Sequence, residues 1–178
     1  MVDLKGLKFA KMHGIGNDFP IIDESREEQI PEADKPEACR QLCHRNFGVG
    51  GDGVLFVVPS EVADIGYRMF NPDGSEAEMC GNGIRCVAKY VYDHGMTDKT
   101  HITIETGAGI KDLDLTVENG KVTMVRVDMG EPILKAADVP VVSDKEQVIN
   151  EEIVVNGTSW KMTCVSMGNP HAVVYIPD

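Results

Sequence analysis

The order of elements readable in this sequence predicts an α+β fold, with a curved mixed or antiparallel sheet and few helices. Three observations carry that reading. Apolar or alternating runs of strand length recur along the chain. Only two stretches show helical spacing, and after residue 100 the pattern is strand on strand. A doubly wound nucleotide fold would alternate strand and helix throughout, and this chain does not.

Leu7 to His13 alternates loosely and reads as a strand, Gly14-Ile15-Gly16-Asn17-Asp18 as a loop, and Pro20 to Asp23 as a short strand. Asp34, with Pro36 and Glu37 behind it, has the form of an acidic N-cap with Glu at the third helical position. Leu42 and Cys43 follow Cys39 at i+3 and i+4 and give that helix an apolar face; Gly48 is expected to end it. Val54 to Val58 and Ile65 to Phe70 read as strands, and Asn71-Pro72-Asp73-Gly74 fits a type I turn. Ile84, Val87, Ala88 and Val91 fall at i, i+3, i+4 and i+7, the mark of a core-facing helix, closed by Gly95. Ile102 to Thr106, Asp112 to Val117 and Val122 to Asp128 read as strands, with an Asn119-Gly120 turn between the last two. Gly130 to Asn150 is irregular, with Pro132 and Pro140. Lys161 to Met167 and Ala172 to Ile176 are predicted as final strands, joined through Gly168-Asn169-Pro170-His171.

Near residue 120 a second unit is expected to start, giving a division into 1–120 and 121–178. The second part is predicted as mostly strand with no packing helix, which is thin for an independent core. The chain also stops straight after a predicted strand, which reads as a fragment of something longer.

With 42% hydrophobic and 26% charged residues, the composition is that of an ordinary folded protein. Seventeen basic against 29 acidic side chains give a net charge of −12, which disfavours nucleic acid and anionic membrane as partners. An anionic small substrate stays compatible, because local donors and not net charge recognise it. No apolar stretch is long enough to span a bilayer, and Met1 to Ala10 lacks the pattern of a signal peptide, so a cytoplasmic location with reduced cysteines is expected.

The most informative segment is Phe70-Asn71-Pro72-Asp73-Gly74-Ser75-Glu76-Ala77-Glu78-Met79-Cys80-Gly81-Asn82-Gly83-Ile84-Arg85-Cys86. It places Cys80 immediately before a Gly-Asn-Gly loop that opens a helix. A thiol there gains acidity from the helix end and from unpaired N–H groups. The same N–H groups can hold a carboxylate beside the sulfur. That combination suits removal of a proton from a carbon next to a carboxylate.

Cys86, Cys39, Cys43 and Cys164 read as packing residues. A zinc site built from Cys39, Cys43 and His44 with Cys80 and Cys86 matches no standard ligand spacing, and no metal is expected. Gly48-Val49-Gly50-Gly51-Asp52-Gly53 lacks the Lys-Ser/Thr of a phosphate loop and follows a helix, so it reads as a flexible turn into the next strand. No lysine has a context that identifies a Schiff base with pyridoxal phosphate, and no cofactor is expected.

Four blocks, in order, resemble the diaminopimelate epimerase family: Lys11-Met12-His13-Gly14-Ile15-Gly16-Asn17-Asp18-Phe19, then Phe70 to Glu76, then Met79 to Cys86, then Ser166-Met167-Gly168-Asn169-Pro170-His171. The resemblance implies two pseudo-symmetric halves, each a strongly curved sheet wrapped around a central helix, with 1–120 the N-terminal half and 121–178 an incomplete start of the second. It implies cofactor-independent interconversion of LL- and meso-diaminopimelate, on the route to lysine and peptidoglycan, with a homodimer a possible assembly. By match, Cys80 is the first of two catalytic cysteines. Asn17, Asn71 and Asn169 resemble asparagines that bind substrate, Gly81 and Asn82 supply backbone contacts to its α-carboxylate, and His171 resembles a histidine near the reacting centre.

The chain departs from the family pattern in one large respect. The second catalytic cysteine, in its own Cys-Gly-Ser/Thr-Gly loop, and a Glu-Arg pair that helps clamp the substrate have no counterpart here, so the 178-residue chain alone is expected to be inactive. Two alternatives stay open. One is another racemase or isomerase of the same architecture, such as a proline racemase relative or a phenazine-type isomerase. The other is a non-catalytic half-domain that binds amino acids or a partner chain.

Overall fold

The structure, a computed structural model, describes residues 2–176. The chain divides into two compact units, the first ending at Asp128 and the second starting at Met129.

The first unit is built on a mixed sheet. Its strands are β1 (Ala10–Gly14), β2 (Asn17–Asp23), β3 (Val54–Val58), β4 (Ile65–Phe70), β5 (Glu76–Ala77), β6 (His101–Thr106), β7 (Gly109–Glu118) and β8 (Lys121–Val127). They run in the order β1-β2-β3-β4-β6-β7-β8, with the two-residue β5 beside β4. The β2–β3 and β4–β6 pairs are parallel and the others antiparallel. Because β8 pairs with β7 through Asn119-Gly120, residues 121–128 belong with this sheet.

Two helices cover opposite faces: α1 (Lys35–Cys43) and α2 (Gly81–Asp93). The apolar stripe of α2, Ile84, Val87, Ala88 and Val91, packs with Phe19 and Ile21 of β2, Leu55 and Val57 of β3, Ile102 and Ile104 of β6, Leu113 and Leu115 of β7, and Val122 of β8. Met12 of β1 leans on the same cluster. One helix therefore touches strands at both edges of the sheet, which requires the sheet to curl around it. The right-handed twist of mixed sheets supplies that curl. Ala38, Cys39, Leu42 and Cys43 of α1 pack instead with Val54 and Phe56 of β3 and Phe70 of β4. Thus β3 is apolar at every position because alternate side chains enter different cores.

Three local features differ from the sequence reading. Asp34 makes no side-chain cap; it ends a 3-10 turn over Glu32–Asp34 that leads straight into α1. The helix stops at Cys43, not near Gly48, because the following loop folds back and gives N–H groups of Gly50 and Gly51 to the carbonyls of Leu42 and Cys43. Hydrogen bonds thus tie down a loop that composition alone makes look flexible.

The second unit holds β9 (Glu151–Val155), β10 (Thr158–Ser166) and β11 (Pro170–Val174), antiparallel in the order β11-β10-β9. Its small core is Ala136, Val139, Val148 and Cys164. The irregular segment before β9 lies along β10, with Ile133 and Ser166 exchanging two backbone hydrogen bonds of 2.9 Å. Among the described residues no helix is long and apolar enough to cross a membrane.

Candidate active site

Cys80 is the N-cap of α2, in extended conformation at φ −137° and ψ 116°, and its carbonyl accepts the first helical bond from Ile84 at 2.9 Å. Its side chain does not cap the helix. The first-turn N–H groups of Gly81, Asn82 and Gly83 are of the kind an α-helix leaves without intrahelical partners.

Glycine is required at two points of this approach. A Cβ on Gly83 would lie 2.9 Å from the Tyr67 hydroxyl and 3.1 Å from Leu55. A Cβ on Gly14 would lie 3.0 Å from the Asn82 carbonyl oxygen. The helix mouth is therefore seated directly on β3 and β4 and against the β1–β2 hairpin. That hairpin turns through Ile15 and Gly16, at φ 57° and 85°, and returns Asn17 opposite Gly14.

The result is a cluster of three predicted residues. The Cys80 thiol donates to Asn17 Oδ1 at 3.8 Å, and Asn82 Nδ2 donates to the same oxygen at 3.4 Å. Arg85, one turn along α2, donates to the Gly81 carbonyl at 2.8 Å and also to Asn82 Oδ1, which fixes the loop from the helix side. Cys80, Asn17 and Asn82 are all half-buried, neither sealed in hydrocarbon nor fully in solvent.

The other predicted residues make their own local contacts. Asn71 sits at the head of its turn, where its amide donates to Ser75 Oγ at 3.0 Å and Gly74 N–H closes the turn on its carbonyl at 2.9 Å. Asn169 and His171 belong to the second unit, both exposed at the β10–β11 connection, with His171 Nε2 3.0 Å from Asn169 Oδ1.

The remaining cysteines are buried. Burial pushes the Cys39 thiol up to about 12 and the Cys43 and Cys86 thiols up to about 11. Cys39 and Cys43 share the α1 core, while Cys80 and Cys86 belong to the α2 core on the opposite face of β3, so the four do not converge.

Two groups near the site have no counterpart in the sequence reading. Below the helix mouth, the Tyr67 hydroxyl is buried beside the Cys80 backbone N–H, and burial first, then the neighbouring Cys80 thiol, pushes its phenol well above the usual range against the opposing pull of that N–H. Beside Asn17 lies an ionic network. Arg45 spans Asp18 and Asp52, Lys11 pairs with Asp18 at 2.8 Å, and hydrogen bonds from Arg45 and then Lys11 hold the Asp18 carboxyl well below the usual range. An acid set between glycines, as Asp52 is, was the available signal.

The curled mixed sheet around one helix is the fold of proline-racemase-like proteins: solved structures that share it include a probable proline racemase from Agrobacterium radiobacter K84 (TM-score 0.68, 18% identity, 94% of this chain and 51% of that one) and a hydroxyproline epimerase from Agrobacterium vitis (TM-score 0.67, 15% identity, 94% and 51%). Within that class the chain belongs to the diaminopimelate epimerase family, whose model, described as "Diaminopimelate epimerase", matches residues 9–135. A curated diaminopimelate epimerase from Methanococcus maripaludis is 57% identical over 173 residues, covering 97% of this chain and 61% of that relative. The chain thus spans about three-fifths of the length of the curated relatives it matches.

Proposed function

We propose that this chain carries one of the two acid/base faces of a cofactor-independent epimerase that interconverts LL- and meso-diaminopimelate, a step supplying lysine and peptidoglycan synthesis. The observation that carries the proposal is Cys80 at the mouth of α2, half-buried and bonded to Asn17, in a chain of this family.

Inverting a carbon centre requires a base on one face and an acid on the other. Cys80 takes or returns the α-hydrogen on its face. Charge released by that step moves into the substrate carboxylate. N–H groups of Gly81, Asn82 and Gly83, aimed at those oxygens, stabilise it most where the charge is greatest, in the transition state. The family resemblance assigns Asn17, Asn71 and Asn169 to substrate binding and His171 an auxiliary part in the reaction. Asn17 lies within hydrogen-bond reach of the sulfur, which supports its place in the same pocket.

The test is α-hydrogen exchange in deuterated water. A full-length family member containing this chain is expected to wash deuterium into diaminopimelate and to leave proline untouched. Cys80→Ser should lower that exchange by about 10²-fold or more, the contribution typical of a positioned acid or base, with the circular dichroism spectrum unchanged. Full exchange by the Cys80→Ser protein would remove Cys80 from the mechanism, and turnover of proline would reassign the substrate.

A further inference from the structure

The loop Gly48–Gly53 does more than lead into β3. Its close approach to β2 and β4 depends on glycine: a Cβ on Gly51 would meet Pro20 of β2 at 2.8 Å, and one on Gly53 would meet the Phe70 carbonyl of β4 at 2.8 Å. What this approach delivers is the carboxylate of Asp52, set directly against Asn17. One of its oxygens, Oδ2, accepts from Asn17 Nδ2 at 2.9 Å and from the Asp18 backbone N–H at 3.0 Å. Its other oxygen accepts from Arg45 Nη2 at 2.6 Å. Asp52 N–H in turn donates to the Asp18 carbonyl at 2.7 Å.

An asparagine side chain carries a donor at one end and an acceptor at the other, and a half-turn of the amide exchanges them with little change of shape. A carboxylate paired with arginine only accepts. We propose that Asp52, anchored by Arg45, is a positioning residue that fixes which way round the Asn17 amide sits and so keeps its carbonyl oxygen facing Cys80. With Nδ2 committed to Asp52, Oδ1 is the atom presented to the Cys80 thiol and to Asn82. Arg45 makes the anchor rigid, because the same guanidinium also grips Asp18 at 2.8 Å. The functional meaning of this clamp rests on Cys80 being the reacting thiol, but the clamp itself does not.

The test is a double-mutant cycle on the chemistry of the sulfur, in the full 178-residue chain. Alkylation of Cys80 by iodoacetamide is followed by mass spectrometry at one pH and ionic strength. Four proteins are compared: the parent, Asp52→Asn, Asn17→Ala and the double variant. Asp52→Asn keeps the shape but releases Arg45 and lets the Asn17 amide turn. The expected result is a change of about threefold or more where Asn17 is present, the coupling typical of groups in contact, and no change in the Asn17→Ala background. Equal changes in both backgrounds would show that charge acts through space, and no change in either would show that the amide is not held; each overturns the proposal. Should Asp52→Asn not fold, Arg45→Gln, on a side chain 58% exposed, loosens the same anchor and is expected to act in the same direction. The Asn17 side-chain amide resonances give a second reading: one protected pair in the parent, faster exchange with water in the variant. Unaltered protection would overturn the clamp. None of these measurements reads epimerisation, so the clamp and the proposed activity stand or fall separately.

Discussion

Lys35 is only 2% exposed, and its ammonium lies 3.1 Å from Glu24, 3.1 Å from Glu28 and 3.2 Å from Glu32, with the Ile30 carbonyl at 2.8 Å. Burial alone would lower its affinity for a proton, but the hydrogen bonds it donates to Glu24 and Glu28 outweigh that and hold it above the ordinary lysine value. Glu24 is equally enclosed, and its other oxygen takes the N–H groups of Gln29 and Ile30. Removing one partner of such a pair leaves a buried charge without compensation. Lys35→Met is therefore expected to cost about 3–5 kcal/mol in urea denaturation, whereas Glu28→Gln, on an exposed side chain, should cost less than about 1 kcal/mol. Similar losses for both would mean that Lys35 acts as hydrocarbon and not as a counter-ion. Nothing in the sequence distinguishes this lysine from the solvated ones, since Glu24 and Glu28 come from a loop that folding brings over it and only Glu32 is a local partner. Cys80 is the contrary case. Its place at the mouth of a helix was legible from the Gly-Asn-Gly that follows it and from the spacing of Ile84, Val87, Ala88 and Val91.

Elements were legible wherever a short-range rule decided them. The Asn119-Gly120 hairpin forms with both residues at positive φ, 52° and 74°, as that dipeptide predicts. The same dipeptide recurs at Asn156-Gly157, with φ 51° and 78°, and turns β9 into β10; β9 escaped the sequence reading because its charged start, Glu151-Glu152, obscures the alternation. The entry to α1 failed for another reason. Glu32, placed by the 3-10 turn, is gripped by Arg68 of β4 through two bonds of 2.7 Å, and Arg68 also binds Glu76 of β5 at 2.6 Å. Carbonyls of the 3-10 turn, Pro31 and Glu32, take the N–H groups of Asp34 and Lys35 in place of a side-chain cap, and the ion pair holds Glu32 from outside. The Arg68 bonds outweigh burial and, with Lys35, bring the Glu32 carboxyl down to about 2 from 4.5. A carboxyl lowered on folding stabilises the fold above its unfolded value and loses that contribution as pH falls through its folded one. The stability difference between the parent and Glu32→Gln should therefore be constant above 4.5 and vanish toward about 2. A difference unchanged across that interval would mean that Glu32 contributes through packing.

At the scale of the molecule, the arrangement of thiols decides what the chain can do by itself. On the proposal made for Cys80, two-sided inversion needs a second acid opposite it. Cys39, Cys43 and Cys86 are enclosed in the cores on either side of the sheet and held well above the ordinary thiol range by burial, so none can ionise near neutrality or reach a substrate on the far face. Cys164 is buried in the small core of the second unit. The 178-residue chain is accordingly expected to show stereoinversion of LL-diaminopimelate at least about 10³-fold slower than a full-length relative, the loss that follows from removing one of two positioned acid/base groups. Chiral chromatography of the product against time measures it. Slow entry of solvent deuterium with retained configuration would be the signature of a single working face, since one base can remove and return a hydrogen on the same side. Inversion at the rate of a full-length relative would mean that the chain holds both faces, and the division of labour proposed for Cys80 would have to be abandoned.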